Sequence, residues 1–92
     1  MICYRVYVNL RQDKPIIEEK MRVQTLAREY FEVFTVFNTI NYSLDNFERG
    51  ICLEVISGEY LDNVGDFCKA VKALLSYDQV ILTQSRVLIE VF

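Results

Sequence analysis

The side chains best suited to recognising a ligand lie in a polar and aromatic segment, residues 38–50, and near the start of the chain. Asparagine offers a hydrogen-bond donor and an acceptor side by side, arginine offers only donors, and tyrosine adds a flat ring. We expect such groups to bind a flat polar ligand or a protein surface. The candidate ligand- or partner-binding residues are Tyr7, Asn9, Arg11, Asn38, Asn41, Tyr42 and Arg49. In the alternative interpretation, 38–50 is a hairpin whose aromatic rings fold back over a sheet edge.

Histidine is absent from the chain. Its absence excludes histidine general bases, nucleophile pairs that depend on histidine, and the commonest zinc ligand. The three cysteines, Cys3, Cys52 and Cys68, are far apart and form no C-x-x-C motif. This spacing predicts neither a disulfide framework nor an iron–sulfur cluster, and it favours a reducing compartment. We therefore predict no cofactor and no metal site.

Carboxylates supply the remaining catalytic chemistry. Glu54 and Glu90 fall in strand-like stretches, and with Asp13 they could hold a divalent metal for hydrolysis. A glutamate on a strand that also carries arginine is more often one half of an ion pair, here with Arg5 or Arg86. The catalytic alternative is therefore a small metal-dependent nuclease or nucleotide hydrolase, and we assign no catalytic residue.

The size and charge of the chain set outer limits on its function. The length of 92 residues predicts one domain, 1–92, and the net charge of −3 disfavours nucleic acid as a partner. The first residues lack the pattern of a signal peptide, and no apolar stretch is long enough to span a membrane. We expect a soluble cytoplasmic protein without a membrane partner, located in the host cytoplasm if a phage encodes it.

The hydrophobic periodicity predicts six elements in the order β-α-β-β-α-β. The predicted strands are 2–10, 31–38, 51–57 and 79–92, the predicted helices are 16–30 and 59–76, and 39–50 is a long hairpin loop. With right-handed crossovers, this order gives the ferredoxin-like α+β fold, a four-stranded antiparallel sheet with two helices on one face. The first and third strands are expected at its centre.

The alternation also predicts what the other face of the sheet carries. Its residues are too apolar for a solvated surface and too charged for a core, so we expect a homo-oligomer interface. The predicted interface residues are Cys3, Arg5, Tyr7, Cys52, Glu54 and Ile56. We further expect Cys3 and Cys52 to be neighbours on parallel central strands.

Two stretches resemble small ferredoxin-like proteins of phages and prophages. They are FTVFNTINYSLDNFERGICLEVI (34–56) and, after a helix, VILTQSRVLIEVF (80–92). Those proteins share an aromatic hairpin that ends in an LxIEVI-like strand, and a final VLVT…VEVEF-like strand. In this chain Asn41 replaces a glycine that often precedes the aromatic residue at Tyr42. The resemblance covers 34–92 and implies a phage or mobile-element origin and an oligomer.

Together these observations favour a non-enzymatic binding protein that acts against host defence. It would sequester a small nucleotide signal or bind an immune effector protein. The alternatives are the metal-dependent enzyme and a purely structural oligomer subunit.

Overall fold

The computed structural model describes residues 1–10, 14–42, 44–76 and 79–92. The four strands are β1 (Ile2–Asn9), β2 (Thr35–Tyr42), β3 (Phe47–Ser57) and β4 (Ile81–Arg86). The two helices are α1 (Ile16–Ala27) and α2 (Val64–Leu75). The order β-α-β-β-α-β and the ferredoxin-like architecture predicted from the sequence are confirmed.

The sheet has the strand order β2-β3-β1-β4, with β1 and β3 at its centre. All three neighbouring pairs are antiparallel. The expectation that the central strands are parallel, with Cys3 beside Cys52, is therefore wrong. Cys3 lies opposite Ile56 and Cys52 lies opposite Tyr7.

One hydrophobic core lies between the sheet and the two helices. Alternate residues of β1, among them Tyr4, Val6 and Val8, point into it because successive side chains of a strand point to opposite faces. The helices contribute the apolar stripes predicted from their periodicity. The buried helix residues in this core are Val23, Ala27, Val64, Phe67, Val71 and Leu75.

Aromatic packing sets the end of α1 and the start of β2. The rings of Tyr30 and Phe31 meet Phe67 of α2 edge to face, with centroids 5.4 and 5.2 Å apart. Phe31 is buried in the core, and its backbone N–H still donates to Ala27 in a final helical turn. The helix α1 ends at Ala27 and β2 begins at Thr35, so the predicted helix end at residue 30 and strand start at residue 31 are wrong.

The predicted loop 39–50 is mostly strand. Tyr42 pairs with Phe47 at the hairpin end, and the β2–β3 register continues without interruption down to Thr35 opposite Glu54. Where β3 begins, the N–H of Phe47 donates to the side-chain Oδ1 of the preceding residue, Asn46. Because asparagine and threonine can occupy the exposed face of a strand, the turn-forming composition of this segment gave the wrong prediction.

The second helix begins at Val64 instead of residue 59. The hydroxyl of buried Tyr4 accepts a hydrogen bond from the N–H of Leu61 at 2.9 Å, which ties this segment to β1. The Nδ2 of Asn63 donates to the carbonyl oxygen of Tyr30 at 3.0 Å. These two contacts hold the chain in a non-helical approach to α2.

The last strand ends at Arg86, not at residue 92. Arg86 lies opposite Ile2, where β1 begins, and one more hydrogen bond joins the N–H of Val87 to Met1. Residues 87–92, here called the tail, belong to no strand or helix. The predicted strand 79–92 is therefore divided into a paired part and an exposed extension.

Gly50 lies where the backbones of three strands approach closely. It pairs with Asn9 on one side and Thr39 on the other. A Cβ at residue 50 would lie 2.5 Å from the carbonyl oxygen of Val8 and 2.8 Å from the Oγ1 of Thr39. A backbone oxygen cannot yield this space without disturbing the β1–β3 pairing.

We predict that Gly50→Ala lowers the free energy of unfolding by about 1–3 kcal/mol, the usual cost of overpacking. Gly65→Ala is the matched control, because a Cβ there meets nothing within 4 Å. A helix favours alanine, so the control should be stabilised by about 0.4–1 kcal/mol. Urea unfolding of both variants tests this, and a Gly50→Ala protein as stable as the parent would contradict it.

Candidate functional site

The sheet face without helices, here called the open face, presents the residues that alternate with the core positions. On the two central strands these are Cys3, Arg5, Tyr7, Asn9, Glu48, Gly50, Cys52, Glu54 and Ile56. On the edge strands, Phe37 and Ile81 are 38% and 44% exposed. The open face thus combines accessible rings and aliphatic groups with charged and amide groups.

A chain of hydrogen-bonded polar side chains lies at one end of the open face. The Nδ2 of Asn41 donates to the Oδ1 of Asn9 at 2.7 Å, and the Nδ2 of Asn9 donates to the Oε2 of Glu48 at 2.9 Å. All three side chains are exposed. We call Asn9, Asn41 and Glu48 the amide cluster; three different strands contribute to it, and it ends in a carboxylate.

An ion pair occupies the middle of the open face. Arg5 and Glu54 are opposite each other on β1 and β3, and the Nε of Arg5 donates to the Oε2 of Glu54 at 2.8 Å. The Arg5 side chain is still 47% exposed, whereas Glu54 is 19% exposed. Hydrogen bonding to Glu54, and then to Tyr7, raises the pKa of Arg5 above its usual value. The Arg5 guanidinium is therefore permanently charged, and it keeps accessible donor groups besides the Nε that holds Glu54.

The two cysteines of the open face are protected. Cys3 is 2% exposed and Cys52 is fully buried, although both belong to the sheet face without helices. Burial, the largest cause, raises the pKa of Cys52 to about 11. Burial and the nearby Glu54 carboxylate also raise the pKa of Cys3. Both thiols are protonated at neutral pH, a state that is poorly nucleophilic.

The structure divides the candidate ligand residues between the two sheet faces. Tyr7, Asn9 and Asn41 lie on the open face, where Asn9 and Asn41 are hydrogen-bonded to each other. Three others have the opposite orientation, because they pair with residues whose side chains point to the helix side. These are Asn38, Tyr42 and Arg49, opposite Ile51, Phe47 and Ile40. Arg11 lies outside the described residues.

Sequence reasoning did not identify Glu48 as part of the site. Its signal was the register of the hairpin, which places Glu48 opposite Asn41. The register can be predicted only if residues 39–42 are recognised as a strand. Because this segment was predicted to be a loop, no partner for Asn41 could be predicted from the sequence.

The predicted interface residues all lie on the open face, but they differ in accessibility. Ile56 is 43% exposed, and Arg5 and Tyr7 are partly accessible. Cys3 and Cys52 have almost no surface left to offer a second subunit. Whether this face forms a subunit contact stays a prediction.

A groove between the two helices has a volume of about 350 Å³. Arg22 lies in it, donates to the carbonyl oxygen of Leu74 at 3.1 Å and approaches the Oε1 of Glu19 at 3.5 Å. Met21, Thr25, Leu26 and Glu29 complete the lining. Glu19 is a buried carboxylate whose charge Arg22 balances, which indicates a structural role for this arginine.

The carboxylates considered for metal-dependent catalysis do not form a common group. Glu54 is bound to Arg5, Glu90 lies in the tail beyond the sheet, and Asp13 is outside the described residues. Among 1–10, 14–42, 44–76 and 79–92, no three acidic or cysteine side chains are grouped so that they could hold a metal ion. In the same ranges no helix has the length and apolarity that crossing a membrane requires.

No protein-family model matches this chain, and a search of curated proteins finds no relative. Solved structures do show its fold. A DUF3240 family protein from Shewanella baltica OS155 is 9% identical with a TM-score of 0.64, covering 99% of this chain and 94% of that one. A phage SAM lyase in its apo state is 13% identical with a TM-score of 0.57, covering 91% and 78%.

A dimeric ferredoxin-like protein of unknown function from Thermobifida fusca YX is more distant. It is 9% identical with a TM-score of 0.46, covering 95% of this chain and 92% of that one. The structures from Shewanella baltica OS155 and from the phage show a shared fold, and at these identities they indicate no activity for this chain.

The raised pKa of Cys52 predicts a loss of stability in alkaline solution. Above its ordinary pKa of 9.0 the thiol loses its proton in the unfolded chain, whereas the folded protein keeps that proton up to about pH 11. The free energy of unfolding therefore falls as pH rises from 9 to 11. Urea unfolding across this range should show a smaller fall for Cys52→Ala than for the parent, and equal falls would contradict the prediction.

Proposed function

We propose that this protein is a non-enzymatic binding protein that sequesters a small nucleotide on its open face, as a phage-type factor against host defence. The observation that carries the proposal is the order of groups along β1. Arg5, Tyr7 and Asn9 follow one another on the open face as a cation, an aromatic ring and an amide. This order matches a nucleotide read from phosphate to base.

The spacing of Arg5, Tyr7 and Asn9 along β1 fits such a ligand. A strand rises about 3.3 Å per residue, so Arg5 and Asn9 are separated by about 13 Å along β1, comparable to the length of an extended mononucleotide. Tyr7 lies halfway between them and is partly exposed. The ligand would lie along the strand without needing a deep pocket.

The amide cluster would bind the base and the sugar. An asparagine amide can donate to and accept from the edge of a base at the same time, and a carboxylate accepts hydrogen bonds from amino or hydroxyl groups. Asn9 and Asn41 are already oriented by their mutual hydrogen bond of 2.7 Å, and Glu48 by its bond to Asn9. Prior orientation lowers the entropy cost of binding.

Tyr7 and Arg5 would bind the rest of the ligand. An aromatic ring stacks on a base or packs against a ribose. The guanidinium of Arg5 uses its Nε to hold Glu54, and its side chain remains 47% exposed. Its outer N–H groups suit a phosphate, for which arginine is the preferred partner.

Binding without turnover is favoured by the state of the reactive groups. The Glu54 carboxylate is held by Arg5, so a catalytic role would first require this ion pair to break. The raised pKa values of Cys3 and Cys52 keep both thiols protonated. The role against host defence rests on the resemblance of residues 34–92 to phage proteins.

Calorimetric titration tests the ligand class with a matched pair of variants on one strand. The ligands are cyclic and linear nucleotides together with SAM, which is included because a phage protein of this fold is a SAM lyase. Asn41→Ala removes an amide of the cluster and should weaken nucleotide binding about tenfold, the value of one good hydrogen bond. Asn38→Ala alters another exposed asparagine of β2, on the other face of the sheet, and this variant should bind like the parent.

Three outcomes would overturn the proposal. If no nucleotide produces heat and the intact chain captures a host protein, the target is an immune effector protein and not a nucleotide. Equal losses of nucleotide affinity in Asn41→Ala and Asn38→Ala would show that the ligand does not bind on the open face. Conversion of a nucleotide or of SAM to product during the titration would make the protein an enzyme.

A further inference from the structure

The segment 84–92 places an unpaired strand edge next to an exposed apolar tail. β4 is an edge strand, so its outer side has no neighbour in the sheet of the described residues. In the tail, Leu88, Val91 and Phe92 are 88%, 93% and 110% exposed. Exposed strand edges that continue into apolar chain are templates for pairing with another strand.

The segment is complementary to itself when two copies run antiparallel. If Leu88 lies opposite Leu88 of a second copy, then Val87 lies opposite Ile89, and Arg86 lies opposite Glu90. The two-fold axis repeats each pair, so two opposite-charge pairs flank an apolar centre. Opposite charges on facing strand positions stabilise a sheet, and like charges there destabilise it.

This register also agrees with the faces of the sheet. Side chains alternate between the two faces of a strand, so even-numbered residues share one face and odd-numbered residues share the other. In this register each even residue is opposite an even one and each odd residue is opposite an odd one, so the two sheets join with matching faces. The helices of both copies then lie on one side, and the two open faces form one surface on the other. Contact between two identical segments about a two-fold axis closes at two copies.

We infer that the partner of this edge is a second copy of the chain, joined antiparallel through residues 84–92, with Arg86 of each copy opposite Glu90 of the other. The contact joins two four-stranded sheets into one of eight strands. It places the exposed side chains of the tail beside those of the second copy and leaves Arg5, Tyr7 and Asn9 uncovered. The inference is therefore independent of the proposed nucleotide binding.

A charge exchange tests the contact on the full chain by sedimentation equilibrium. Arg86→Glu and Glu90→Arg should each place like charges opposite one another at two positions and weaken dimerisation about tenfold or more. The double variant Arg86→Glu/Glu90→Arg restores opposite charges and should recover the dimer. Because neither position belongs to the hydrophobic core, circular dichroism should stay unchanged in all three variants.

Leu88→Glu gives a second test at the centre of the contact, where two carboxylates would face each other, and should yield monomers. Ile40→Lys on β2, the opposite edge strand, is the control and should remain dimeric. A monomeric parent chain, or a dimer that survives both single charge reversals, would overturn the inference. A double variant that stays monomeric while its spectrum matches the parent would also overturn it.

Discussion

The antiparallel pairing of β1 with β3 is the constraint on which the rest of this structure depends. It turns Tyr4 and its alternating neighbours toward the helices, where they are buried in the hydrophobic core. A slip by one residue would exchange the two faces and place Arg5 and Asn9 against the helices. Burial of the core therefore fixes the open face as firmly as it fixes the core itself.

The chemistry of the open face is a property of three strands. β1 supplies Asn9, and the β2–β3 hairpin brings Asn41 and Glu48 to the same place. Gly50 makes this convergence possible, since its missing side chain leaves room for the carbonyl oxygen of Val8. A polar cluster assembled in this way keeps its geometry only while both registers hold.

Ligand recognition and assembly can use different surfaces of this fold. The central strand β1 is flanked on both sides, so its groups are available only through the open face. The edge strand β4 and the tail are available laterally. An interface built on the edge therefore extends the open face and does not cover it, unlike the face-to-face contact expected from the apolar residues of the sheet.

Sequence patterns were sufficient for the order of elements and for the residues that share a face on each of the two central strands. The alternation of residues 2–10 and the apolar stripe of α2 are local periodicities, and they predicted the ferredoxin-like fold and the orientation of Tyr7 and Asn9. The predicted boundaries failed where a distant contact overrides local preference. Phe31 is a strand former by composition, but packing against Phe67 draws it into the core.

The sequence marked Tyr7, Asn9 and Asn41 as candidates by their residue types, whereas it revealed neither Glu48 nor the geometry of the site. Asn38, Asn41, Tyr42 and Arg49 looked equivalent as members of one polar segment, but strand pairing turned only Asn41 toward Asn9. Local residue types determine which elements form and which of their faces are apolar. Register, which decides which side chains meet, depends on contacts between residues far apart in the chain, and only the tertiary structure contains them.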